Sequence, residues 1–172
     1  MRKFVLGLAM TAALPGIAPA LADDLEKGNF VGACIQAAAS RYEFPAGILV
    51  ILLDVENGRL GQVSDNNNNT VDIGPMQVND SWVPKLADHW GATKEATYLA
   101  LRDEICANIE GGAWILRQAL DEANGDFWEG VGLYHSHKSP LKSAYLRSVY
   151  KHALKLEAKD SAGGPDDQRS PK

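Results

Sequence analysis

Glu56 closes the most apolar stretch of the chain. In "GILVILLDVENGRLG", residues 47–61, an unbroken run from Ile48 to Leu53 leads into Asp54 and Glu56 and stops at Gly58. On a helix the side chains at i−3, i−4 and i−7 share a face. For Glu56 these are Leu53, Leu52 and Leu49, whereas Asp54 points about 200° of rotation away, beside Val50 and Ile51. Burial among leucines disfavours a charged carboxylate, and the negative end of the helix pushes its pKa up as well. An acid that keeps its proton near neutral pH suits general acid catalysis. The plainer alternative is that Glu56 marks the helix's exit into water with Gly58 as C-cap, and periodicity alone does not separate the two.

A second group with chemical content follows in "TVDIGPMQVN". Gly74 permits close backbone approach, and Gln77 and Asn79 each donate and accept hydrogen bonds, as reading the N-acetyl and hydroxyl groups of a sugar requires. Trp82, Trp90, Trp114, Trp128, Tyr98 and Tyr134 supply flat faces for pyranose rings, although most of them, Trp114 above all, read as core. His135 and His137 are spaced i, i+2. That spacing suits two metal ligands on a strand better than on a helix, and neither HExxH nor a cysteine cluster accompanies them. No metal and no cofactor is expected; His135 reads as a hydrogen-bonding group of a cleft, and His89 and His152 as surface or boundary residues.

The elements that must position these groups are helical almost throughout. Phe30, Cys34, Ala37, Ala38 and Tyr42 recur at helical spacing up to Phe44-Pro45, and Pro45 suits the first turn of the helix that ends near Glu56. "GRLGQVSDNNNNTVD", with four consecutive asparagines, predicts a loop that could hold a short hairpin. Asn79, Asp80 and Ser81 offer N-caps for a short helix through Leu86, Thr93 for "KEATYLALR", and Asp126 for "FWEGVGLYHS". Between the last two, Ile105, Ile109, Ala113, Leu116 and Leu120 form one face of a helix ending at Gly125. Ser139-Pro140 opens the last helix, with Leu141, Tyr145, Val149 and Leu156 on its inner stripe. The class is mainly α.

Residues 1–22 read as a signal peptide: Arg2 and Lys3, the apolar "FVLGLAMTAAL", and a small-residue cleavage site after Ala22. The run is short and broken by Pro15 and Pro19, so it does not read as a stable membrane anchor. One domain is expected over 23–158, and the polar, Gly/Pro-containing 159–172 reads as a disordered tail. The leader takes two of the 17 basic residues with it, leaving 15 against 22 acidic ones. Such a chain, without a basic stripe, is a poor partner for nucleic acid or anionic lipid. Cys34 and Cys106 both lie in the exported part, where one intramolecular pairing is available; two free thiols or an intermolecular link remain the alternatives.

Taken together, Glu56 in "VENG", then "DIGPMQVN", "CANIEGGAWIL" and "GLYHS", resemble the transglycosylase domain of specialised lytic transglycosylases. More narrowly, they resemble the small exported enzymes that accompany conjugation, type IV and type III secretion machines. The resemblance spans roughly residues 31–152 and implies a lysozyme-like fold of goose type, a periplasmic monomer, and peptidoglycan glycan strands as substrate. It also implies components of a secretion or conjugation machine as partners. It makes Glu56 the single catalytic acid/base and assigns Met76 and Gln77 to the sugar cleft. Asn108 matches the Asn of the family's helix motif, Tyr134 the tyrosine that approaches the acid, and Cys34 and Cys106 the branch's disulfide. Asn57 stands where the family has Ser, Pro75 where it has Leu, and His135 where it has Asn; Asn57, Met76, Gln77, Asn79, Asn108, Tyr134 and His135 are the residues expected to bind the sugar. The implied reaction cleaves between N-acetylmuramic acid and N-acetylglucosamine and closes a 1,6-anhydro ring, the muramyl C6 hydroxyl taking the place of water. A hydrolytic muramidase and an inactive peptidoglycan-binding assembly factor are the rival readings.

Overall fold

The computed structural model describes residues 19–162. Among these residues there are seven α-helices and one small sheet: α1 (Pro19–Arg41), α2 (Ala46–Glu56), α3 (Val83–Trp90), α4 (Lys94–Asp103), α5 (Ile105–Glu122), α6 (Phe127–His135) and α7 (Ser139–Ala162). The strands β1 (Val63–Asp65), β2 (Val71–Ile73) and β3 (Val78–Asn79) pair antiparallel in that order, with Val63 opposite Ile73 and Ile73 opposite Val78. A single 3-10 turn, Asp80–Trp82, leads from β3 into α3.

The local chemistry accounts for the starts of these elements. Thr93 accepts from the Ala96 N–H, Asp126 from the Glu129 N–H, and Asn79 from the Ser81 N–H, so side-chain oxygens satisfy donors that a helix start leaves free. Pro45 occupies the N-cap of α2 in an extended conformation. The asparagine stretch does form a hairpin: the Asn66 N–H bonds to the Thr70 carbonyl, and Asn69 takes φ 61° in the turn between β1 and β2.

Helix α5 is the hub, packed against α6, α1 and α4, while α2 lies between α1 and α7. Leu49 and Leu52 from α2, Ile109 and Leu116 from α5, Val131 from α6 and Val149 from α7 are fully buried together with Leu86 and Leu101. Cys34 and Cys106 form a disulfide, tying α1 to the first turn of α5 with their Cα atoms 5.1 Å apart. Of the pairings left open by spacing, the intramolecular one is present.

Several expectations shift in detail. Asn57, not Gly58, takes the left-handed position that ends α2. Phe30 and Leu141 are exposed rather than inward-facing. Helix α7 includes residues up to Ala162, four residues into the stretch expected to be disordered, and none of the four is a glycine or proline. The remainder of that tail, and most of the expected leader, lie outside the described residues; only the backbone of the leader's last four enters, as the start of α1. Among the described residues no helix is long and apolar enough to cross a membrane.

Candidate active site

Helix α2 ends by delivering Glu56 to a cleft of about 660 Å³. One wall is the hairpin, with Asn66, Asn67, Asn68, Thr70 and Asp72; the other is the end of α6 and the start of α7, with Tyr134, His135, Ser136, Lys138 and Leu141. Gln77, Asn79 and Trp82 complete it. The size and mixed lining suit a flexible polar ligand.

Burial raises the Glu56 carboxyl from its ordinary range to about 7; the Tyr145 hydroxyl, donating to Oε1 at 2.5 Å, opposes the rise, and the negative charge of Asp72 adds to it. Desolvation therefore outweighs the hydrogen bond. Asp54, one helical step of two residues back, faces out as its spacing predicts and bonds to His152. Its pKa is lowered, first by that hydrogen bond. Two acids on one helix thus sit in opposite electrostatic settings.

The segment between β2 and β3 is held rigidly beside the acid. Gly74 takes φ 65° and Gln77 φ 47°, while the Gln77 N–H and Nε2 both donate to the Gly74 carbonyl, at 3.1 and 2.9 Å. A non-glycine residue in the left-handed region is held against its own preference, which is common where a side chain must be aimed. The turn fits only because Gly58 and Gly74 lack side chains: a Cβ on Gly58 would collide with the Gly74 carbonyl, and one on Gly74 with the Asn108 amide.

Beneath this turn lies Asn108, fully buried. Its Oδ1 accepts from the Met76 N–H at 2.7 Å, and its Nδ2 donates to the carbonyls of Ile73 and Leu101 at 2.9 and 2.8 Å. Asn108 is thus out of a ligand's reach, and its work is to tie the turn to α4 and α5. The Met76 side chain is likewise fully buried, against Gly112, and only its carbonyl is used near the cleft, as acceptor for the Tyr134 hydroxyl at 2.9 Å. Asn57 is exposed just past α2 and does not line the cleft. All three are expected to bind the sugar, and none of them lines the cleft.

Gln77, Asn79, Tyr134 and His135 do line it. Asn79 donates to Asp72 Oδ1 at 2.8 Å and to Thr70 Oγ1 at 2.9 Å, so its amide braces the carboxylate across β2 and β3. Asp72 is therefore held by a side-chain amide. Tyr134 faces the acid electrostatically but spends its hydroxyl on Met76; burial, then the charges of Glu56 and Asp72, push its pKa well up. The group that touches Glu56 is Tyr145, which the sequence shows only as one of several inner-stripe residues of α7. Trp114 is partly buried, its ring edge-on to Trp82 with centroids 6.0 Å apart, which leaves Trp82 as the tryptophan that borders the cleft.

Helix α2 with its acid, the tight turn, the α5 motif and the α6 end all fall inside one match. The model of the transglycosylase SLT domain matches residues 33–155. The chain belongs to the transglycosylase SLT domain family. The mainly α, lysozyme-like class expected from the sequence is the class of this family. Among known proteins, the chain is 29% identical over 130 residues to Protein IpgF of Shigella flexneri, covering 73% of this chain and 82% of the relative. It is 24% identical over 129 residues to Invasion protein IagB of Salmonella typhimurium, covering 72% and 77%.

Proposed function

We propose that this SLT-family protein is a lytic transglycosylase of peptidoglycan, cutting the β-1,4 bond between N-acetylmuramic acid and N-acetylglucosamine with Glu56 as its acid and base. The observation that carries the reading is the place of Glu56, largely buried at the end of α2 yet lining a cleft of amide and hydroxyl groups, where desolvation raises its pKa to about 7. Glu56 gives its proton to the glycosidic oxygen as the bond to muramyl C1 breaks, releasing the glucosamine hydroxyl. The charge that develops at C1 falls under the field of Asp72. The Glu56 carboxylate, held by the Tyr145 hydroxyl, then takes the proton of the muramyl C6 hydroxyl, whose oxygen closes on C1 as a 1,6-anhydro ring. Protons balance over the cycle and no water is consumed. A tethered hydroxyl gains from proximity, and a pKa near the working pH serves both halves of the exchange.

Asp72 also favours a second reading. Retaining glycosidases place a second carboxylate on the far side of the sugar, and Asp72 shares the cleft with Glu56, so hydrolysis of the same bond is the rival outcome. Mass spectrometry of muropeptides released from purified peptidoglycan decides between them. Products one water lighter than the hydrolytic ones, absent with Glu56→Gln, support the transglycosylase; hydrolytic products lost in the same variant support a muramidase. Wall binding without release by the wild type would sink both and leave a binding factor. Activity should fall as pH rises through about 7, where Glu56 loses its proton.

The leader-like N-terminus supports export to the periplasm. The naming of one relative as an invasion protein supports a role in opening the wall locally for a secretion or conjugation apparatus.

A further inference from the structure

We propose that His135 is a positioning residue for the acid: its ring lies flat on Tyr145 and fixes the phenol whose hydroxyl meets Glu56. The two rings are parallel within 2°, with centroids 4.4 Å apart, the close end of aromatic stacking. His135 is the last residue of α6 and Tyr145 lies in the second turn of α7, so the stack joins the two helices across the short link that bounds the cleft.

A tyrosine ring fixed by its neighbours points its hydroxyl in one direction only, because the oxygen lies on the ring axis. The direction taken here is Glu56 Oε1, 2.5 Å away. The contact that His135 makes with the rest of the protein here is through its ring face. The charged and titratable groups around it are Glu56 at the end of α2, Asp72 on β2, Tyr134 beside it and Lys138 in the link. The inference therefore gives His135, a residue of the cleft lining, the task of holding the residue that holds the acid.

It rests on Glu56 being the acid of the proposed reaction, so the first readout needs no turnover. The Glu56 carboxyl is titrated by carbon NMR in the wild type and in Tyr145→Phe, His135→Ala and His135→Phe. Tyr145→Phe removes the donor that favours the carboxylate, so the midpoint should rise above about 7. His135→Ala should move it the same way, and His135→Phe, which keeps a flat ring and no titratable nitrogen, should hold it near the wild-type value. On peptidoglycan, His135→Ala should lower kcat by roughly tenfold or more with little change in KM, the cost of a slightly misplaced catalytic group, and His135→Phe should restore most of it. His135→Gln, which keeps polarity without a ring, should behave as His135→Ala.

An unmoved midpoint in His135→Ala overturns the proposal. So does a raised KM shared by His135→Ala and His135→Phe at unchanged kcat, which would assign the ring nitrogens to substrate. A wild type that releases no muropeptide while His135→Ala still shifts the midpoint would remove the transglycosylase reading and leave the positioning role standing.

Discussion

Glu56→Gln should make the protein more stable at alkaline pH and leave it nearly unchanged in acid. In the folded chain burial raises the carboxyl from 4.5 to about 7. Between those values the folded protein keeps a proton that the unfolded chain has released, so stability falls as pH rises. The penalty is absent below the unfolded value, grows through the interval, and is complete above about 7. One pKa unit corresponds to about 1.4 kcal/mol, so the span of the shift sets a ceiling of about 3 kcal/mol; the partial exposure of the carboxyl brings the expected figure to roughly 2 kcal/mol.

Glutamine has the shape of the protonated acid and an oxygen that still accepts from Tyr145, but it does not ionise, so the variant escapes the penalty. Urea unfolding at pH 4, 6 and 9, followed by tryptophan fluorescence with the disulfide oxidised, gives the wild-type-to-variant difference at each pH. Other titrating groups are common to both proteins and cancel. A difference that widens in the variant's favour from pH 4 to pH 9 supports a desolvated acid. A constant difference, or one that widens toward acid, would show that Glu56 titrates like a surface carboxylate, and with it the case for a general acid would fall.

Asp54→Asn should show the opposite sign: the His152 hydrogen bond holds Asp54 below its ordinary pKa, so its stabilising effect is present above the unfolded value and fades as pH falls through the folded one. The variant's deficit should therefore shrink on acidification in the same urea series. Asn108→Ala strands the Met76 N–H and the Ile73 and Leu101 carbonyls in the core, and at about 1–3 kcal/mol per orphaned group, not fully additive, the loss should be roughly 3–5 kcal/mol; a loss near zero in urea unfolding would refute its structural role. Replacing Cys34 and Cys106 together by alanine opens a link between residues 72 apart. The chain-entropy account then predicts a loss of about 4 kcal/mol, and a melting temperature unchanged from that of the oxidised wild type would contradict it.

The sequence is most legible where a signal is local. Thr93, Asp126 and Asn79 cap as their types predict because the capped N–H lies two or three residues away. The face of α2 is legible for the same reason, since rotation per residue alone puts Glu56 with Leu52 and Leu49 and sends Asp54 the other way. Asn108 shows where this fails. A polar residue in a helix motif carries the same letter whether it meets a ligand or three buried backbone groups, and only the approach of the turn at Met76, 32 residues away, decides. Tyr145 is the complementary case. Its inward direction follows from periodicity, but its partner lies 89 residues away, and the way α7 crosses α2 is a property of the packed core. The signal that could have found it is a hydroxyl on an otherwise apolar stripe, since a buried phenol needs an acceptor.

The acid's setting is a balance, and the balance has a structural source. Burial and Asp72 push Glu56 toward the protonated form, while Tyr145 pulls toward the carboxylate. Two tyrosines approach this corner, and they are not interchangeable. Tyr134 commits its hydroxyl to the Met76 carbonyl and thereby anchors the α6 wall to the turn, leaving Tyr145 as the donor that reaches the acid. Were both hydroxyls on Glu56, hydrogen bonding would compete with desolvation and draw the pKa back toward that of an ordinary carboxylate. Were neither there, the carboxylate formed after proton transfer would be buried without a partner, and the second half of the exchange would meet that cost instead. An acid that must give a proton and take one back within a single turnover is served by one donor, and the division of labour between Tyr134 and Tyr145 supplies one.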